Sequence, residues 1–303
     1  MKRCITLALA ALAALAAAYA TALGARTPPS ASELAPIHGT YAPKIVPANF
    51  VAAIDNRYLP FKQGTAFHYR GVRGTTPQRD DEVVTHQHKK ILGVDCTVVR
   101  DTVSEHGIAV ERTFDWYAQD RSGNVWYMGE LALERHHSRL VKASDSWQAG
   151  VNGAKPGIIM PGHPHTGDAY RQEYYPPRQA LDEARVLGRG AVTVPYGAFE
   201  RVLVTSERSP LEPQTERKYY APGVGEVAER VVKGHRERFE LAGDHTRGTL
   251  SDTSLQPFRP RPPQRGPTTS GQPQRQIPVI AAALRAWASG RTPKPSASVR
   301  SRP

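Results

Sequence analysis

From Thr65 to Leu241 apolar and polar residues alternate with a period of two, broken by glycine-bearing turns about every 10 to 14 residues. No convincing helical period intervenes. Antiparallel strands need only such short links, whereas parallel neighbours need long crossovers. The densest stretch is Thr113–Glu130, TFDWYAQDRSGNVWYMGE. Two aromatic strands meet there at a Ser122-Gly123-Asn124 turn, a hairpin signal. Phe114 and Trp116 face one way, Asp115 and Tyr117 the other. After the turn Val125 and Tyr127 alternate with Trp126 and Met128. The stretch holds two of the four Trp, which marks it as core.

The expected fold is therefore mainly β: an antiparallel meander forming a strongly curved sheet or a partly closed barrel. About ten strands are expected over 55–242. A first meander covers 65–130 and a second 168–242, and the two can form one sheet. Between them, Leu131–His137 reads as a short helical turn. Ser144–Gly167 reads as a long irregular passage that crosses the open face of the sheet or lines a site.

The ends of the chain differ from its body. Lys2 and Arg3, the apolar run Ile5–Ala18 and Ala18-Tyr19-Ala20 make a secretory pattern, so 1–24 is expected to be a signal peptide. The protein is then exported, periplasmic or secreted. The apolar run falls short of the roughly 20 residues a membrane span needs, and no stable transmembrane segment is expected after cleavage. Residues 25–48 read as an extended Pro-rich lead-in, with order beginning near Asn49. The β domain is expected over 49–243. Residues 244–303 read as a basic, Pro-rich disordered tail with a short helix at 278–289. Without the signal one cysteine remains, Cys96, in an alternating strand. A buried structural thiol is expected there, and no internal disulfide.

The formal charge of +12 would suggest nucleic acid until it is placed along the chain. Residues 252–303 carry +8 and the first thirty +3, which leaves +1 for the body. A near-neutral body with a basic tail is not the footprint of a nucleic-acid-binding fold. Such a tail suits anionic envelope surfaces.

The strong catalytic signatures are absent: no G-x-S-x-G, H-E-x-x-H, S-x-x-K or Walker A loop occurs. His86 and His88 share a strand face, a geometry that can bind zinc given a third ligand. His163 and His165, with Asp168, lie in the irregular passage and form a second candidate metal set. Solvated histidines are the simpler explanation of both. Asp115 and Glu130 could make an acid pair for glycoside chemistry, although Asp115 reads as a solvent-facing or turn residue. Asp120–Asn124 has a faint calcium-loop pattern that a hairpin turn explains fully.

The motifs WYAQDRSGNVWYMGE, WQAGVNGAKPGIIMPGHP, GDAYRQEYY, VTVPYGAFERVLVT and KYYAPGVGEV resemble an uncharacterised family of exported bacterial β-sheet proteins. The resemblance covers about 50–242, nearly the whole body. The last motif is also similar to a wider group, some of which are thought to fold like the half-barrel periplasmic lipoprotein carriers. The resemblance implies no activity, cofactor or catalytic residue.

The leading expectation is non-catalytic binding of a lipid or other apolar or amphipathic small molecule, or of a cell-envelope component, on an apolar concave face. Trp116, Trp126, Tyr127, Trp147 and Met160 are the expected lining residues, and core packing is the simpler role for each singly. The alternatives are a metal-dependent enzyme centred on His163, His165 and Asp168, joined by His86 and His88, and an envelope scaffold held through the basic tail. No cofactor is expected.

Overall fold

The computed structural model describes residues 28–246. The expected signal peptide and the tail beyond 246, with its helix at 278–289, lie outside the described residues. Sixteen strands form one antiparallel sheet. They are β1 (Phe50–Val51), β2 (Thr65–Arg73), β3 (Thr76–Ile91), β4 (Val94–Glu105), β5 (Ile108–Asp120), β6 (Val125–His136), β7 (Arg139–Lys142) and β8 (Trp147–Gln148). The second set is β9 (Lys155–Met160), β10 (Ala169–Arg171), β11 (Glu173–Tyr174), β12 (Glu183–Val194), β13 (Gly197–Arg208), β14 (Thr215–Ala221), β15 (Gly225–Lys233) and β16 (Glu237–Thr246).

Neighbours run β10-β12-β13-β14-β15-β16-β2-β3-β4-β5-β6-β9-β11. The last strand pairs with the second, Leu241 opposite Tyr69, so both meanders belong to one sheet. Its two outer strands, β10 and β11, are consecutive in the chain. Tyr170 pairs with Ala184 on β12, and Glu173 with Pro156 on β9. Residues 169–174 thus staple the two edges together and nearly close the barrel, which removes the exposed edges that invite aggregation. The seam is tight at Gly157, where an added Cβ would lie 2.3 Å from the backbone carbon of Gln172. Gly157→Ala is expected to cost about 1–3 kcal/mol through overpacking, read as a lower urea midpoint. An unchanged midpoint would show that the seam yields.

Three elements differ from expectation. Leu131–His137 is not helical. Its residues up to His136 continue β6, with Leu131 opposite Phe114 on β5 and Glu134 opposite Val141 on β7. Strand partners on both sides override the helical propensity of Leu, Ala and Glu. Ser144–Gly167 does not cross an open face. Trp147–Gln148 and Lys155–Met160 both pair with β6, and β9 extends the sheet. The lead-in is also built into the barrel. Ser30 and Glu33 form a capping box on the four-residue helix α1 (Ala31–Leu34). Arg171 then clamps the segment with Nε to Pro36 O at 2.9 Å and a second nitrogen to Ile37 O at 2.6 Å. Tyr41 is buried, donates its hydroxyl to Pro156 O, and packs edge-on to Tyr174 at 5.6 Å. The strap therefore lies over the closing seam.

Met128, Ile158, Met160, Leu203 and Leu241 are fully buried in one core. Cys96 is buried and free, and burial pushes its thiol up to about 12. That suits an inert structural residue. Among the described residues no helix is long and apolar enough to cross a membrane.

Candidate functional site

Closing the sheet turns one residue in two along each strand toward an interior chamber. Its cavity measures about 170 Å³. On β5 the inward set is Glu111, Thr113, Asp115 and Tyr117, and on β14 it is Glu216, Lys218 and Tyr220. Asp80 and Glu82 enter from β3, Asp101 from β4 and Glu130 from β6. A second acidic group comes from β13 and β15, namely Glu207, Glu226 and Glu229. With Glu173, Asp182 and Glu212, thirteen carboxyls line the chamber against two cations, Arg208 and Lys218. Tyr69, Tyr127, Phe61, Leu59 and Ile159 supply aromatic and aliphatic surface. The concave face thus joins the aromatic and aliphatic surface that the sequence led one to expect to a set of acids that it did not.

Enclosure of so many acids has a direct electrostatic consequence. Burial disfavours the charged form of each, and neighbouring carboxylates reinforce the effect. Burial pushes Asp115 up to about 7, against hydrogen bonds from Tyr127 and Thr113 that pull the other way. Glu226 rises to about 8, again chiefly through burial, with Lys218 opposing. Burial and then Asp101 raise Asp80 well above the carboxylate range. Asp101 beside it is raised as well, chiefly by burial.

Lys218 organises the second acidic group. Its Nζ lies 3.1 Å from Glu229, 3.6 Å from Glu226 and 3.9 Å from Glu207. Burial alone would depress this ammonium, but the three carboxylates reverse that and raise it well above its usual value. Glu207 is fixed further by Gln172 Nε2 at 2.9 Å, Thr205 Oγ1 at 2.7 Å and the Tyr220 hydroxyl at 3.2 Å. Glu82 lines the same chamber, and burial, then Asp101, raises its carboxyl well above the usual range.

The expected site residues separate into chamber and wall. Tyr127 lines the chamber, gives its hydroxyl to Asp115 at 2.7 Å, and stacks on Tyr117 at 5.0 Å. Trp147 lies behind it, edge-on at 5.4 Å. Trp126 is held in the turn by Asp120 at 2.8 Å, and Trp116 is covered by the Lys89 ammonium at 3.3 Å. Met160 is fully buried opposite Val125. Asp115 is not solvent-facing. It is buried opposite Glu130 in the chamber wall. Asp120 closes its own turn, accepting from the backbone of Ser122 and Asn124 at 2.9 and 3.0 Å.

The histidines stay on the outside. His86 and His88 are exposed, and a register irregularity between Val84 and His88 interrupts their alternation. His88 is engaged by Gln63 at 2.7 Å and Asp95 at 3.1 Å. His163 and His165 are exposed, with His165 Nδ1 at 3.8 Å from Asp168. Among the described residues no three His, Cys, Asp or Glu side chains are grouped to hold a metal ion.

Of the chamber acids only Asp115 and Glu130 stand out in the sequence, as a candidate acid pair; the others and Lys218 do not. The available signal was shared parity: Gln78, Asp80 and Glu82 on β3, then Glu111, Thr113 and Asp115 on β5, place polar groups two apart along each strand.

No protein-family model matches the chain, and no curated protein matches it. Three solved structures are similar in outline. One from Bacteroides fragilis, described as an exported protein with a YmcC-like fold, is 13% identical with a TM-score of 0.36, over 63% of this chain and 100% of that one. Another from Parabacteroides distasonis, described as a lipoprotein, is 10% identical at 0.36, over 63% and 99%. MucB is 10% identical at 0.30, over 67% and 59%. Likeness at this level carries no functional argument, and the reading rests on the chamber itself.

Proposed function

We propose that this is an exported, non-catalytic binding protein that receives a small amphipathic ligand, or a group presented by an envelope partner, inside the barrel. The enclosed chamber carries this reading. It offers tyrosine faces and aliphatic surface for an apolar body, beside carboxylates for a polar one. The chain's own pattern of basic residues, apolar run and A-x-A site supports export. Lining by Tyr127, with Trp147, Trp116, Trp126 and Met160 shaping the wall behind, belongs to the same proposal.

Trp147 packs edge-on against Tyr127, so ligand entry is expected to change tryptophan emission. Titration with neutral, anionic and cationic amphiphiles should give a saturable change for at least one class. The change should be lost in Trp147→Phe. No saturable response to any class would overturn the reading.

A further inference from the structure

We propose that the chamber's ligand is a small organic cation with an aliphatic body, of the aliphatic di- or polyamine class. This deepens the binding proposal and rests on it. The first ground is an internal precedent. Lys218 is a primary ammonium on a methylene chain, and Glu207, Glu226 and Glu229 surround it within 3.9 Å. Asp80, Glu82 and Asp101 repeat that acidity in the same chamber, and among the described residues none has a lysine or arginine within salt-bridge distance.

The second ground is two buried polar groups in the chamber, a hydroxyl and a carboxyl oxygen, that have no partner among the described residues. Ser209 lines the chamber, is 7% exposed, and its Oγ has no hydrogen-bond partner. Asp80, 6% exposed, likewise has an unpartnered Oδ1. A buried polar atom is normally satisfied, and its exceptions call for a missing group. An ammonium supplies three donors and no acceptor, which matches a wall of acceptors. Charge-assisted hydrogen bonds from it are the strong kind.

The third ground concerns shape. Apart from the three that meet on Lys218, the carboxyls are spread round the chamber, and among the described residues no three His, Cys, Asp or Glu are grouped to hold a metal ion. Separated acids with tyrosine and aliphatic surface between them suit a molecule that alternates ammonium groups and methylenes. Tyr117, stacked on Tyr127 and beside Phe61 at 5.0 Å, adds ring faces of the kind that attract cations.

The test is calorimetric titration of the full exported chain at pH 8 with spermidine and putrescine, alongside a fatty acid and a neutral diol. Saturable amine binding is expected, weakened about tenfold or more by Glu82→Gln, the loss of one charge-assisted contact. Asp101→Asn, also isosteric, carries the same expectation should Glu82→Gln not fold. Glu200→Gln, on the exposed outer surface, should leave affinity unchanged. Equal weakening by Glu200→Gln would show surface adsorption and overturn the proposal. Binding of the fatty acid or diol without the amines would overturn the cationic class and leave the binding reading standing. No binding by any probe would overturn both.

Discussion

The folded protein is expected to lose stability as pH rises from 5 to 8, with a fall in Tm of about 10 °C. Asp115 carries the clearest part. Its usual value is 3.8, and in the fold it rises to about 7. Below the unfolded value both states hold the proton and no penalty exists. Between the two values the unfolded chain releases the proton while the fold retains it, so stability falls with each pH step. Above the folded value the penalty is complete, at most on the order of 4 kcal/mol for this group. Glu226, raised to about 8, extends the window upward with the same sign. Asp115 is acted on by Tyr127, Thr113, Asp101 and Lys218 and stands opposite Glu130. In a domain of this size about 1 kcal/mol moves Tm by roughly 2–4 °C. Paired carboxylates produce the opposite slope in most proteins. Melting curves at fixed ionic strength from pH 5 to 8 decide the matter, and a flat or rising Tm would contradict the chamber's electrostatics.

Lys218→Met is expected to be the most damaging single substitution, at about 3–5 kcal/mol near pH 8. Methionine fills the volume but leaves Glu207, Glu226 and Glu229 facing one another without a cation. The side chain is only 17% exposed, so water cannot take over its role. The loss should shrink by half or more at pH 5, where Glu226 and Glu229, both raised by burial, take up protons instead. That coupling to pH separates an electrostatic role from packing, because a packing defect would persist at both values. Denaturant unfolding of the variant at the two pH values reads both quantities. Equal loss at pH 5 and pH 8 would show that Lys218 acts through its methylenes.

Much of the fold was legible because its grammar is local. The hairpin at Ser122–Asn124, the strand at Val94–Glu105 and the one-sheet arrangement follow from period-two alternation and glycine turns. Pairings decided from a distance were not legible. Leu131–Glu134 becomes strand because β5 and β7 flank it, and Lys155–Met160 because β6 accepts it. The strap at 28–48 looked extended because its anchors, Arg171, Pro156 and Lys155, lie over 100 residues away.

The candidate site was hidden by the assumption that charge points outward. Alternation identifies two faces and leaves open which one is enclosed. In Glu111-Arg-Thr113-Phe-Asp115-Trp the aromatics suggest that Phe114 and Trp116 face the core, yet the barrel encloses the acidic parity as well. The outer parity is covered in turn by side chains such as Lys89 over Trp116. Acids of matching parity on strands that prove to be neighbours only become a chamber once register is known.

The most direct measurement is a pH titration of the Asp and Glu carboxyl carbons by NMR on the isotopically labelled protein. Several resonances should titrate above pH 6, with Asp115 near 7 and Glu226 near 8, and Glu226 should shift further when Lys218 is replaced. If every carboxyl instead titrates between about 3 and 5, the ordinary range for exposed Asp and Glu, the interior is not the enclosed acidic chamber on which the binding proposal rests.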